Sequence, residues 1–120
     1  MGGALTSRDS RMQAELTALW QASRPELQRR VAALEFGLRQ LAEGTGDAAA
    51  RVEAAREAHR LIGAIGVFGF AAASRAARSM ESMLTGDAPL DQRQLAAFLD
   101  DIRTAVSRPN LSSTGLEDKP

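Results

Sequence analysis

The chain has 120 residues, of which 44% are apolar and 25% are charged, a balance that suits one globular domain with a single core. Fifteen basic and fifteen acidic residues give a net charge of zero, which argues against binding to nucleic acid or to an anionic membrane surface. There is no cysteine, which excludes disulfides, thiolate catalysis and cysteine-ligated zinc, and fits a reducing cytoplasm.

No stretch of the sequence approaches the roughly 20 consecutive apolar residues that a membrane-spanning helix needs. The N-terminus, MGGALTSRDSR, lacks the long apolar core of a signal peptide. We therefore expect a cytoplasmic protein that does not enter the membrane.

Alanine, leucine, arginine, glutamine and glutamate dominate the sequence, which favours helix throughout. The first predicted helix covers residues 6–22. Its apolar residues recur at helical spacing: Met12, Leu16, Leu19 and Trp20. Ser23, Arg24 and Pro25 then predict a break, because proline is favoured in the first turn of a new helix.

The second predicted helix follows Pro25 and ends at Gly44-Thr45-Gly46. Its apolar stripe has the spacing of a bundle core: Leu27, Val31, Leu34, Leu38 and Leu41. Asp47 is predicted to cap the third helix, which runs from about 48 to 65.

Glycines between 66 and 69 predict the end of the third helix, and a fourth helix covers about 70–84. Its predicted core residues are Phe70, Ala73, Ala77, Met80 and Leu84. Asp91 is predicted to cap the last helix, which Pro109 stops. The core stripe of that helix is Leu95, Phe98, Leu99, Ile102 and Val106.

Together these elements predict an all-α fold: an up-down four-helix bundle with an additional short N-terminal helix packed at one end. We expect the bundle to occupy residues 6–107, and residues 1–5 and 108–120 to be flexible termini.

The only histidine, His59, lies within the run AHRLIGAIGVFGF at the end of the third predicted helix. At about 100° per residue, His59 falls at the edge of the core arc rather than on it. Gly63 lies one turn further on, and Gly66 follows it. Glycine inside a helix costs about 0.5–1 kcal/mol relative to alanine, so these positions are candidates for clearing space beside the imidazole. Two interpretations stay open: a solvated histidine beside tight helix packing, or a reactive imidazole that another molecule approaches.

Other chemistries find less support in the sequence. One histidine and no cysteine leave no metal-ligand pattern, and the GxSxG motif of serine nucleophiles is absent. The glycines of GAIGVFG follow a helix instead of joining a strand to a helix, so they do not form a dinucleotide-binding fingerprint.

The run His59-Arg60-Leu61-Ile62-Gly63, then Gly66, Phe68-Gly69-Phe70 and later Met80-Glu81, resembles the histidine phosphotransfer (HPt) domain. The resemblance covers residues 50–84 in detail, and helix count and spacing agree over about 6–107. It implies a protein that receives a phosphoryl group from a receiver-domain aspartate and passes it to another receiver, without kinase activity of its own.

The resemblance also implies roles for individual residues. His59 would be the phosphoacceptor, and Glu81 would hold its Nδ1–H, leaving Nε2 as the nucleophile. Gly63 would leave room for the phosphoryl group and the docking receiver. The remaining residues expected at the receiver-binding surface are Arg56, Arg60, Ile62 and Gly66. No cofactor or metal is expected on this chain, since the receiver would supply the Mg²⁺.

Ile62 departs from the family pattern, which often has lysine three residues after the histidine. An isoleucine cannot neutralise phosphoryl charge, although Arg60 or Arg56 could substitute. The departure leaves a second interpretation open: a degenerate HPt-like module that docks on a kinase or receiver without transferring phosphate. A third is a plain helical bundle that dimerises through an exposed apolar stripe.

The expected partners are response-regulator receivers and a histidine kinase, with no nucleic acid or membrane, and the expected state is a monomer.

Overall fold

The computed structural model describes residues 3–44 and 46–109, with side chains described from residue 10 onward. In these ranges the chain forms four α-helices and no strand. They are α1 (Gly3–Ala42), α2 (Ala48–Gly66), α3 (Ala71–Thr85) and α4 (Gln92–Val106). None of these helices is long and apolar enough to cross a bilayer.

The helices pack in a ring, in which α1 contacts α2, α2 contacts α3, α3 contacts α4, and α4 returns to α1. Side-chain contacts show that α2 and α3 are antiparallel, since Arg51 reaches the carbonyl oxygen of Leu84 whereas Ser74 reaches that of Ile62. Short connections make the other neighbours antiparallel as well. The predicted all-α four-helix bundle is therefore confirmed.

The predicted break at Pro25 is wrong, because α1 runs unbroken through it, and the described residues contain no separate N-terminal helix. Proline has no N–H to donate to the carbonyl oxygen of Gln21, which normally breaks a helix. Here Pro25 and Gln21 both lie on the exposed side of α1, where water can bond that carbonyl. At about 1.5 Å per residue the 40 residues of α1 make a helix of about 60 Å.

The middle of α1 is fixed to one end of the bundle by Trp20. The Trp20 side chain is fully buried, and its ring centroid lies 4.9 Å from that of Phe68 and 5.0 Å from that of Phe70. Its Nε1–H donates to the carbonyl oxygen of Arg108 at 3.0 Å. Arg24 donates to the carbonyl oxygens of Val106 and Ser107, so α1 binds the free carbonyls at the end of α4.

The described side chains of α1 before Leu16 are all exposed, and Leu16 is the first that packs against the core. Met12 and Leu19 share the predicted apolar stripe with Trp20, yet they are 56% and 48% exposed. The helical spacing of the stripe is confirmed, but Trp20 is its only fully buried member, because Met12 precedes the first core contact and Leu19 lies on the outer side of α1.

The connections follow the turn and cap signals of the sequence. Asp47 accepts a hydrogen bond from the backbone N–H of Ala50, and Asp91 accepts from those of Arg93 and Gln94. Both predicted N-caps are thus confirmed. Gly44 and Gly69 adopt φ of 77° and 79°, a left-handed conformation that favours glycine at these two turns.

The flexibility of residues 1–5 and 108–120 stays a prediction, since residues 1, 2 and 110–120 lie outside the described ranges. Arg108 and Pro109 are described, and their carbonyl oxygens accept hydrogen bonds from Trp20 and Gln21.

The core is formed by all four helices, and its largest fully buried side chains are Trp20, Leu34, Leu61, Ile65, Met80, Leu95 and Ile102. We expect Leu34→Ala to lower the free energy of unfolding by about 2–5 kcal/mol, because it leaves a cavity in this core. Phe36→Ala is the matched control, since Phe36 is 58% exposed on the outer face of α1. Chemical denaturation followed by circular dichroism measures both, and equal effects of the two substitutions would contradict this packing.

Candidate functional site

His59 projects from the side of α2, about two turns before the helix ends at Gly66. The residues that hold α2 against the core, Ala58, Leu61 and Ile65, are fully buried. Because these three define the inner face, His59 is placed on the rim, and its side chain is 72% exposed. The edge position predicted from helical spacing is the one observed.

The imidazole contacts α3 through one hydrogen bond. Nδ1 of His59 lies 2.9 Å from Oε2 of Glu81, whose side chain is 28% exposed. An ionised carboxylate can only accept, so this geometry requires the proton of a neutral imidazole to be on Nδ1. Nε2 then carries the lone pair and faces away from Glu81. Glu81 lies at the border of the buried face of α3, next to Ala77 and Met80, which are fully buried.

Arg51 fixes the position of α3 against α2, a role that the sequence analysis missed. Its guanidinium donates to the carbonyl oxygens of Leu84, Met83 and Ala88, at 3.0, 3.0 and 2.9 Å. These are free carbonyls at the C-terminal end of α3 and in the turn that follows. The sequence did contain an indication of this role. Arg51 lies in the first turns of α2, where the helix dipole disfavours a cation, so its guanidinium is expected to bind acceptors outside its own helix.

The two glycines after His59 lie in different surroundings. A Cβ at Gly63 would meet no atom within 4 Å, so the space beside His59 is open. A Cβ at Gly66 would lie 3.5 Å from Oγ of Ser74, an ordinary contact with α3. Ile62 is half-buried and packs against the core, and its carbonyl oxygen accepts a hydrogen bond from Ser74.

The two arginines predicted near His59 both have carboxylate partners. Arg60 donates to Oε2 of Glu57 at 2.8 Å, and Arg30 of α1 lies 3.8 Å from the other oxygen of this carboxylate. Glu57 is only 15% exposed, so Arg60 is bound toward the α1 side of α2. Arg56 is 65% exposed and lies 3.6 Å from Glu53.

An open groove of about 610 Å³ runs from His59 and Glu81 toward the first turn of α2. Its floor is apolar and includes Val52, Ala55 and Leu84, while Arg56 and Arg60 lie at its border. His59 therefore stands at one end of a concave surface that another protein can contact.

The family model described as the Hpt domain matches residues 11–108, which include all of α2, α3 and α4 and most of α1. Searches of curated proteins and of solved structures returned no significant match.

The hydrogen bond between His59 and Glu81 generates a prediction about the imidazole tautomer. We expect Glu81→Ala to lower the fraction of neutral His59 that carries its proton on Nδ1, because the carboxylate that favours this form is gone. Two-bond ¹H–¹⁵N correlation spectra of the imidazole measure the tautomer directly. Glu43→Ala, at an exposed position after α1, is the matched control. An unchanged tautomer in Glu81→Ala would contradict the contact.

Proposed function

The chain belongs to the Hpt domain family of two-component phosphorelays, and we propose that it is a phosphorelay intermediate. It accepts a phosphoryl group on His59 from the aspartate of one receiver domain and passes it to the aspartate of another. The observation that carries this proposal is the exposed imidazole of His59, whose Nδ1 lies 2.9 Å from Oε2 of Glu81.

Glu81 serves this reaction by orienting the nucleophile. A carboxylate on Nδ1–H fixes the ring, leaves the lone pair on Nε2, and raises the basicity of that nitrogen. The carboxylate also stabilises the positive charge that the ring acquires when Nε2 forms a bond. Glu81 is therefore a positioning residue, and His59 is the group that reacts.

The transfer requires no proton to leave the histidine. The lone pair on Nε2 attacks the phosphorus of the aspartyl phosphate, and the bond from phosphorus to the carboxyl oxygen breaks, returning its electron pair to the aspartate. The proton stays on Nδ1, held by Glu81. In the onward transfer a carboxylate oxygen of the second receiver attacks phosphorus, and the electron pair of the N–P bond returns to Nε2.

Phosphoryl transfer depends on in-line positioning and on charge neutralisation more than on covalent help. We propose that the receiver supplies the aspartate and the Mg²⁺, and that this chain supplies a nucleophile on a rigid helix. In this account the chain has no kinase activity and carries no cofactor. Its partners are receiver domains and a histidine kinase, and it acts as a monomer in the cytoplasm without contacting nucleic acid.

A second candidate function is a module that docks on a receiver or kinase without transferring phosphate. Ile62 favours it, since this half-buried side chain brings no charge to the position where the family often has lysine. The bond from Arg60 to Glu57 favours it too, because that guanidinium is already neutralised. This alternative predicts binding that is insensitive to His59→Gln.

The proposal is tested by incubating the protein with a receiver phosphorylated on its aspartate. We expect label on this chain in an acid-labile, base-stable linkage, and no such label on His59→Gln. Because His59 is the only histidine, all phosphohistidine in the chain reports on this residue. Binding of the receiver without label, or label that persists in His59→Gln, would contradict the proposal.

The open space at Gly63 gives a separate prediction about docking. We expect Gly63→Gln to slow transfer from the receiver by roughly tenfold or more, because a side chain there obstructs close approach. The bundle stays folded, since a Cβ at this position meets no atom within 4 Å. Gly63→Ala is the matched control, and it is expected to raise the free energy of unfolding by about 0.5–1 kcal/mol. A loss of helicity in Gly63→Gln, or a transfer rate equal to that of the parent, would show that Gly63 is not needed for clearance.

A further inference from the structure

A phosphoryl group on His59 creates an electrostatic problem in this site. It brings on the order of −1.5 to −2 charges to Nε2, across the ring from Nδ1, which lies 2.9 Å from the Glu81 carboxylate. The phosphoryl oxygens and the carboxylate, on two sides of one imidazole, repel each other, and the repulsion is larger at a protein surface than in bulk water. A cation near Nε2 would offset it, but Ile62, one turn beyond His59, provides none.

The arginines of α2 near His59 are not free to act as that cation. Arg60 is hydrogen-bonded to Glu57 at 2.8 Å. Arg56 forms an ion pair with Glu53 at 3.6 Å. Each guanidinium is thus accompanied by a carboxylate, and recruiting either to a phosphoryl group means separating an existing pair.

Arg78 lies at a different position, on α3. It comes three residues before Glu81 and four residues after Ser74, and residues at these spacings share one side of a helix. Both neighbours contact α2, since Glu81 bonds Nδ1 of His59 and Ser74 bonds the carbonyl oxygen of Ile62. Arg78 therefore lies along the edge of α3 that borders α2. It is exposed, and no ion pair in the described part of the chain includes it.

The space opposite Arg78 is open. On α2, Gly63 lies one turn after His59, which contacts Glu81, and one turn before Gly66, where a Cβ would lie 3.5 Å from Oγ of Ser74. A Cβ at Gly63 itself would meet no atom within 4 Å. A guanidinium entering from α3 finds no side chain of residue 63 in its way. Arginine suits the task, because it stays protonated and its planar fork of donors matches the oxygens of a phosphoryl group.

We propose that Arg78 contacts the phosphoryl group carried by His59, donating hydrogen bonds to its oxygens across the gap above Gly63. The inference rests on the proposed function and deepens it, because it names the cation on this chain that replaces the missing lysine. As the bond from phosphorus to the aspartate oxygen breaks and the bond to Nε2 forms, the guanidinium stays on the phosphoryl oxygens and offsets their charge.

The test compares the parent protein with R78Q, R78K and R75Q. Arg75 is the matched control, since it is also exposed on α3 and without an ion pair in the described ranges, but lies about 120° around the helix from Glu81. Each protein is phosphorylated by two donors: a phosphorylated receiver, varied in concentration up to saturation, and phosphoramidate, a small donor that needs no docking surface. Thermal unfolding of each variant is measured alongside.

We expect R78Q to slow phosphorylation of His59 by about tenfold with both donors, the size of a charge-assisted hydrogen bond. With the receiver, the decrease is expected in the rate at saturation. R78K restores most of the rate, R75Q leaves it near that of the parent, and all four proteins unfold at similar temperatures.

Two results would overturn the inference while leaving the proposed function intact. One is a parent that is phosphorylated on His59 and an R78Q variant that matches it. The other is a defect in R78Q that appears with the receiver alone and disappears at saturation, which would assign Arg78 to docking. A parent that accepts no phosphoryl group from the receiver would overturn the proposed function, and the role of Arg78 with it.

Discussion

The site depends on one hydrogen bond between two helices, from Nδ1 of His59 on α2 to Oε2 of Glu81 on α3. This bond requires α2 and α3 to be held in a fixed register and close together. Small buried residues on both helices permit close packing: Ala54, Ala55 and Ala58 on α2, and Ala73, Ala76 and Ala77 on α3. Arg51 fixes the register, because its guanidinium binds the carbonyl oxygens at the end of α3, one turn beyond Glu81. A helix-capping interaction thus determines where the carboxylate meets the imidazole.

Much of the fold could be predicted from the sequence, because local signals agreed with the tertiary structure. Asp47 and Asp91 are side-chain caps whose acceptors act within the next three residues, so a linear sequence contains the whole interaction. Pro25 is the opposite case. The local signal at Pro25 predicts a helix break. The carbonyl oxygen that loses its hydrogen bond lies on the exposed side of α1, where water can bond it. Contacts with residues far away in the sequence then keep α1 continuous. The bonds from Trp20 and Arg24 to the end of α4 join residues more than 80 positions apart, and nothing in a local pattern indicates them.

The candidate site was predicted unevenly, for a similar reason. His59 and Gly63 could be placed from helical periodicity, since both lie on α2 and their angular positions follow from spacing alone. The pairing of His59 with Glu81 came only from the resemblance to the HPt domain, because the sequence of a helix does not determine its register against a neighbouring helix. Arg60 is one of two arginines that the sequence offers in place of the lysine, and it is bound to Glu57 together with Arg30 of α1. Adjacency to His59 in the sequence does not show that the guanidinium of Arg60 is paired with Glu57, which also contacts α1.

The central claim is that Glu81 occupies Nδ1 of His59 and thereby assigns the chemistry to Nε2. The most direct measurement is to phosphorylate the ¹⁵N-labelled protein and identify the nitrogen bonded to phosphorus by ¹⁵N and ³¹P NMR. The account predicts a single phosphohistidine with the phosphorus on Nε2. Phosphorus on Nδ1, or at a residue other than His59, would contradict it.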